Sequence, residues 1–409
     1  MERTLVGIDV GTSKICTLVG QVDNQGVLRV IGVGVVPSRG FYKGGIVDLD
    51  AATRAIGQSV QKAEQVSGYT ITEAYVGLGG SHIASQNSRG VAAIGRGDRP
   101  VDRDDVERTM ENAQAVALPH NRRVVHALPR EYVLDGQSGI KNPLGLMGYR
   151  LEVEVHMITG AMNAIQNLVH CVENNQISVI ELVVQPLASS EAVLSEEERT
   201  MGVALVDVGG GTIDMAVHIE SSVWETLVRP IGGNHITNDI AKGLRTPFNT
   251  AEDCKIRYGH AIPSLVSESE IIEITGFGDH STSTISRREM CDIIAMRTEE
   301  MIEMIAQEIR RSGFDGLLPA GVVITGGTAN LRGLRDLAEQ QLELPVRIGM
   351  PRKLYGLVEA INSPVYATGV GLLLWGMQQE HAGGDIGMGT NETGVERILS
   401  WLKNLLPGE

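Results

Sequence analysis

Two stretches of the chain share one alternation of apolar and polar positions. In "LVGIDVGTSKICTLVG", residues 5–20, an apolar run meets a single aspartate, turns on glycine and threonine, and resumes as an apolar run. "ALVDVGGGTIDMAVH", residues 204–218, repeats the pattern half a chain later. Apolar runs on both sides of a glycine turn predict strands joined as a hairpin. A third strand-like run, "VLRVIGVGVV", follows the first hairpin after "DNQG", so a meander is expected rather than a strand feeding a helix.

The rest of the pattern supplies the connections. "DLDAATRAIGQSVQKAEQVSG" has the period of an amphipathic helix with an aspartate cap, and "EAYVGLGG" reads as a strand. From about Ser81 to Thr159 the texture turns polar, with a helix in "DRDDVERTMENAQAVA" and alternation at Leu151, Val153, Val155 and Met157. "AMNAIQNLVHCVENN" is predicted helical, and "ISVIELVVQPLASSEAVL" is a strand leading into a helix. Beyond the second meander, "NHITNDIAKGL" and "TAEDCKIRYG" are predicted helices, 261–285 is a polar excursion, and a long helix covers about Arg287 to Arg311. "GVVITGGTANLRGLRDLAEQQL" predicts a strand, a glycine turn and a helix opening near Thr328, and "SPVYATGVGLLLWGM" another helix. Residues 378–394 read as a Gly-rich flexible linker, with "VERILSWLKNLLPGE" standing alone beyond it.

Composition narrows the class. At 409 residues the chain has room for two or more domains, and 42% hydrophobic with 21% charged is ordinary for a globular protein. Lys and Arg number 35 against 50 Asp and Glu, a net charge of −15, which disfavours nucleic acid and opposes adsorption to an acidic membrane by charge alone. Aromatics at 4% leave little for stacking on bases. Cys16, Cys171, Cys254 and Cys291 form no CxxC pair, so buried reduced thiols are expected rather than zinc or disulfides. No signal-like N-terminus and no run of about 18 apolar residues occurs, and a cytosolic protein is expected.

Each aspartate sits where chemistry can use it. Backbone N–H groups in a glycine turn can point at phosphate oxygens, and glycine lets the main chain approach closely. Gly11, Thr12, Ser13 and Lys14 would cup one side of a polyphosphate, and Gly209, Gly210, Gly211 and Thr212 the other. Asp9 and Asp207 would reach Mg2+, directly or through water. Two hairpins facing a cleft make a clamp. The alternative, tight turns that merely join strands, fits either copy alone but leaves the duplication unexplained. Neither GxxxxGK[ST] nor GxGxxG occurs. "VVITGGTANLRGL" adds a third turn, Gly326, Gly327 and Thr328, against which a nucleoside could lie.

With these segments in this order the chain resembles the actin superfamily, shared by actin, the Hsp70 ATPase and sugar kinases. The matches are 7–14, 206–214 and 324–328, with connecting helices at 184–194 and 364–375. "PSRGFYKGGIVDLD" and "GIKNPLGLMGYRLEVEVHMITG" are more closely similar to the bacterial cell-division family FtsA. The resemblance implies a duplicated α/β actin-like, ribonuclease H-like fold that binds ATP. Domain 1 would comprise 1–81, 161–200 and 360–377, with 82–160 as an inserted subdomain replacing the actin subdomain 1B. Domain 2 would comprise 201–232 and 312–359, with 233–311 as its outer subdomain. Glu252 and Lys255 would flank adenine and ribose, unless they are only a solvated helix face. Gln185 would position the attacking water, as an amide can without being a strong base.

The family also implies partners. These are the tail of the tubulin-like protein FtsZ at 233–311, a second copy in a protofilament, and later division proteins at the insert. Arg287, Arg288 and above all Arg297 would meet the acidic tail, since arginine offers a planar fork to carboxylates. Ordinary helix pairs with Glu289, Glu299 or Glu300 are the competing account. At the C-terminus, residues about 100° apart place Val395, Ile398, Leu399, Leu402, Leu405 and Leu406 on one arc of a helix, with Trp401 at its border. That arc predicts adsorption to the cytoplasmic face of the membrane, weak for one copy and strong through avidity for many. The rival readings are an actin-like protein of pilus assembly or cell shape, and a small-molecule kinase.

Overall fold

The computed structural model describes residues 3–95, 99–277, 282–352 and 355–384. They fall into two units: residues up to 79, 165–193 and from 349 onward in the first, and 80–164 with 194–348 in the second.

Both units are built on the same sheet. In the first, Arg3–Val10, Lys14–Val22 and Leu28–Pro37 form an antiparallel meander. Glu73–Leu78 adds parallel to Arg3–Val10, and Ser178–Val184 adds parallel beyond it. In the second, Val203–Val208, Ile213–Ile219 and Ser222–Arg229 form the meander. Val322–Thr325 and then Val346–Ile348 extend it in parallel. The central strands are buried almost end to end, as strands covered on both faces must be.

In the first unit the helix Leu49–Ser67 covers one face, capped by Asp48 as its sequence predicts. Thr17 on that face shares a buried hydrogen bond with Ser59 of the helix, 2.8 Å. The helix Ala367–Gly384 lies on the sheet too, its Leu372 and Leu373 reaching the backbone of Gly7 and Gly20. Fully burying side chains such as Ile8 and Leu18 contributes roughly 1.5–3 kcal/mol each.

Residues 84–161 form a four-stranded sheet in the order Ala84–Ala93, Arg150–Ala161, Arg122–Leu134, Gln137–Ile140, under the helix Arg103–Gln114. Its core is the alternating set Leu151, Val153, Val155 and Met157. This insert belongs with the second unit. Buried His156 bonds to Thr226 at 2.9 Å, and the Arg130 guanidinium lies 3.7 Å from the Trp224 ring centre.

The insert 82–160 with its flanks 80–81 and 161–164, expected with domain 1, belongs to the second unit, and four further boundaries differ from those expected. Residues 194–200, expected in domain 1, belong to the second unit, where the Glu198 carboxylate takes a two-pronged ion pair from Arg347 at 2.5 and 2.7 Å. Residues 349–359, expected in domain 2, belong to the first, because Tyr355–Gly356 adds to the edge of Leu28–Pro37. The expected helix at Thr328 is only a single 3-10 turn, Gly327–Asn330. The α-helix starts at Leu334, after Gly333 has turned the chain with φ +78°. Residues 378–384, expected to open the linker, continue the helix Ala367–Gly384. Gln378 there donates to Glu191 at 2.7 Å.

Candidate functional site

The predicted turn residues lie in two separate groups, one in each unit, at the carboxyl ends of sheet strands. This is where open α/β sheets offer backbone groups and loop side chains to ligands.

In the first unit Asp9 is the penultimate residue of its strand, paired with Cys16 and only 6% exposed. The Gly11 N–H closes the turn by donating to the Lys14 carbonyl at 3.0 Å. Gln185 opens its helix directly after the strand Ser178–Val184. Its amide nitrogen donates to Asp9 Oδ1 at 3.2 Å and to the Val10 carbonyl at 3.3 Å. Asp9 and Gln185, far apart in sequence, are thus brought together. Residue 79 must be small for this: a Cβ there would stand 2.0 Å from Gln185 Oε1. Lys14 is engaged elsewhere, donating to the Val365 carbonyl at 2.6 Å with its ammonium 4.2 Å from the Tyr366 ring centre. The Cys16 thiol beside Asp9 is pushed up to about 12, chiefly by burial, so it stays protonated.

In the second unit Asp207, 7% exposed, pairs with Asp214, and Gly209 closes the turn on the Thr212 carbonyl at 3.0 Å. Thr212 Oγ1 donates to Asp214 Oδ2 at 2.6 Å. The turn's carbonyls are held from outside. Gly209 accepts from the Gly233 N–H at 2.9 Å and from Thr328 Oγ1 at 3.1 Å, and Gly210 accepts from the Asn234 N–H at 2.8 Å. Lys255 Nζ pairs with Glu252 at 2.7 Å and donates to Thr237 Oγ1 and the Gly233 carbonyl at 2.8 and 3.1 Å. Burial lowers the Lys255 pKa, and Glu252 works against that shift. Gly326, at φ +86°, leaves no room for a side chain: a Cβ would stand 2.3 Å from Asp207 Oδ1 and 2.6 Å from the Val208 carbonyl.

Sequence reasoning did not single out Gly233, Asn234, Thr237 and Asp214, which the structure places beside the second turn. The signals were present: "GGN" stands just before a helix, and Asp214 occupies the place that Cys16 fills in the first copy.

The family described as "Cell division protein FtsA" matches residues 204–371, and the "SHS2 domain inserted in FTSA" matches 80–159. The cell division protein FtsA of Pseudomonas aeruginosa is 43% identical over 93% of this chain and 91% of its own. That of Escherichia coli K12 is 37% identical over 98% of each. The chain belongs to the FtsA family of cell-division proteins.

Solved structures agree on the fold. A chain of the PilM–PilN type IV pilus biogenesis complex superposes with a TM-score of 0.66 at 15% identity, covering 91% of this chain and 98% of that one. MreB5 of Spiroplasma citri, bound to AMPPNP, gives 0.57 at 14% identity, covering 93% and 99%. The fold is the actin-like α/β fold, carrying the FtsA insert.

The three arginines expected to serve FtsA-type partner binding all hold carboxylates of their own unit. Arg297 donates to Asp239 at 2.6 Å and to Glu300 at 2.5 Å, remaining 26% exposed. Arg287 pairs with Glu270 at 2.5 Å and Arg288 with Glu268. Val395, Ile398, Leu399, Trp401, Leu402, Leu405 and Leu406, and linker residues 385–394, lie outside the described residues. Among the described residues no helix is long and apolar enough to cross a membrane.

Proposed function

We propose that this FtsA-family chain is an ATP-binding adaptor that polymerises on the inner face of the membrane and anchors FtsZ there. The observation that carries the nucleotide part is the cluster in the second unit, where the Gly233 N–H and Thr328 Oγ1 hold the Gly209 carbonyl, the Lys255–Glu252 pair is tied to the Gly233 carbonyl, and Gly326 packs against Asp207. Gly209–Thr212 and Gly11–Ser13 would receive phosphate oxygens, and Glu252 and Lys255 the nucleoside. MreB5, with the same fold, is a protein whose solved structure holds AMPPNP.

The donor set suits Mg2+. Among the described residues no group of three or more His, Cys, Asp or Glu side chains could hold a metal unaided. Mg2+ commonly keeps several waters and takes one or two carboxylates together with substrate phosphates. Asp9 and Asp207 would serve it through water. Bound there, the ion would neutralise phosphate charge. Gln185 would orient a water through its amide oxygen, its nitrogen being engaged on the Asp9 hairpin. An unchanged single-turnover rate of ATP hydrolysis in Gln185→Ala would remove it from that role.

The FtsZ tail would compete with Asp239 and Glu300 for Arg297, and residues 395–409 would supply the lipid anchor. The test is cosedimentation with anionic phospholipid vesicles and FtsZ polymer, with and without Mg-ATP. Deleting 395–409 should abolish pelleting with vesicles and leave ATP binding intact; pelleting that survives the deletion refutes the anchor. Arg297→Glu should lose FtsZ-tail affinity, and undiminished affinity refutes that contact.

A further inference from the structure

The segment "PSRGFYKGGIVDLD" touches the first acidic turn. It folds as a small hairpin, Phe41 opposite Ile46 and Tyr42 opposite Gly45. The tip residues Lys43 and Gly44 have φ of +50° and +76°. Two successive left-handed residues are what a tight two-residue hairpin turn requires. The root is fixed: the Val47 and Asp48 N–H groups donate to the Gly40 carbonyl at 2.8 and 3.2 Å, and Asp48 caps the helix Leu49–Ser67.

The tip reaches the phosphate turn. The Gly44 N–H donates to Thr12 Oγ1 at 3.1 Å, and just before the hairpin the Ser38 N–H donates to the Ser13 carbonyl at 3.0 Å. A hydroxyl that accepts from an N–H still has its own hydrogen to donate. Thr12 is only partly buried, so that hydrogen can meet a ligand.

We propose that the hairpin 40–47 is a phosphate sensor. A phosphate oxygen accepting from the Thr12 hydroxyl completes a chain from the Gly44 N–H through Thr12 to the ligand. Bonds in such a chain polarise and strengthen one another. Occupancy therefore tightens the hairpin tip onto the turn, and an empty turn leaves it on one neutral bond. Tyr42, 63% exposed, flanks the tip and carries this change to the surface. The inference rests on the nucleotide reading of the turn.

The test is hydrogen–deuterium exchange of the peptide covering 39–47 in the full chain, with and without saturating Mg-AMPPNP, binding being measured in parallel by equilibrium dialysis. Exchange should slow by roughly 1.2–2-fold on binding, the range that a 10–30% strengthening of one net hydrogen bond supplies. Thr12→Val, or Thr12→Ala should valine disturb folding, compared at analogue concentrations raised until dialysis shows the occupancy of the unaltered chain, should abolish the slowing, and Thr12→Ser should restore it. Binding without slowing, or equal slowing in the hydroxyl-less variant, overturns the sensor and leaves the nucleotide reading standing. Absence of binding to the unaltered chain overturns the nucleotide reading, and the sensor with it.

Discussion

The two acidic hairpins share a strand order and a turn closure but are secured by different means. Thr12 of the first turn is held through its hydroxyl by a neighbouring hairpin, and the carboxylate of Asp9 is met by the Gln185 side chain. The second turn is all glycine from 209 to 211, and its carbonyls are held by N–H groups at the start of the helix Gly233–Gly243. The duplication has kept the main chain and one aspartate while the supports have diverged. The contrast is one of degree: one backbone donor, the Ser38 N–H, holds a carbonyl of the first turn, while two, from Gly233 and Asn234, hold carbonyls of the second beside the Thr328 hydroxyl, leaving the second less freedom to adjust.

The largest expected effect breaks the backbone-held copy. Gly326→Ala places a Cβ against Asp207 and the Val208 carbonyl at φ +86°. At φ +86° and ψ 175° the backbone lies in a region essentially restricted to glycine, which costs another residue roughly 1–3 kcal/mol, and the overlap can be relieved only by moving a central strand. A loss above about 4 kcal/mol is expected, in the range reserved for such core faults. Gly79→Ala meets only the end of the Gln185 side chain, which can swing aside, and should cost under about 1.5 kcal/mol, as tolerated core changes do. Urea denaturation of the two variants measures the contrast. Similar losses would mean that the second turn is no more rigid than the first.

Acid sharpens the comparison between units. His126, His156 and His218, all in the second unit, are buried, and burial pushes their pKa values down to about 4, 4 and 3. In the unfolded chain the ordinary value is 6.5. As pH falls from 6.5 toward about 4, the unfolded chain takes up protons that the folded unit refuses, so the unit loses stability across that window. In the first unit burial raises the pKa of Glu181, which carries the opposite sign: its contribution is present below the ordinary carboxylate value and lost as pH rises through its folded value. Pulse proteolysis at pH 7 and pH 5 should therefore show new cleavage in 194–348 before 3–79. Simultaneous opening at both would show that these buried groups do not govern acid stability.

Much of this contrast was legible in local pattern, because strands and glycine turns leave a period in the sequence. The paired aspartates and the alternation from Leu151 to Met157 needed nothing more. What escaped were contacts between distant segments. Nothing near Lys14 signals that its ammonium ends on the carbonyl of Val365, and nothing near Gly209 signals closure by Gly233 and Thr328. Composition misled once: the polar stretch from 378 reads as linker, but Trp375 and Gln378, bonded to Glu181 and Glu191, hold that helix to its unit.

The smallest expected effect probes how the load on the Gly209 carbonyl is divided. It accepts from the Gly233 N–H at 2.9 Å and from Thr328 Oγ1 at 3.1 Å. Thr328→Val keeps the side-chain shape and removes only the second donor, while the first still satisfies the carbonyl. The loss should be that of one neutral hydrogen bond, about 0.5–1.5 kcal/mol, or a fall in Tm of about 1–6 °C for a unit of this size. A calorimetric scan reads it. A drop as large as that of Gly326→Ala would mean that Thr328, and not the helix start, fixes the turn. No change at all would assign the whole task to the Gly233 N–H, making the backbone anchor still stiffer than the comparison with the first hairpin requires.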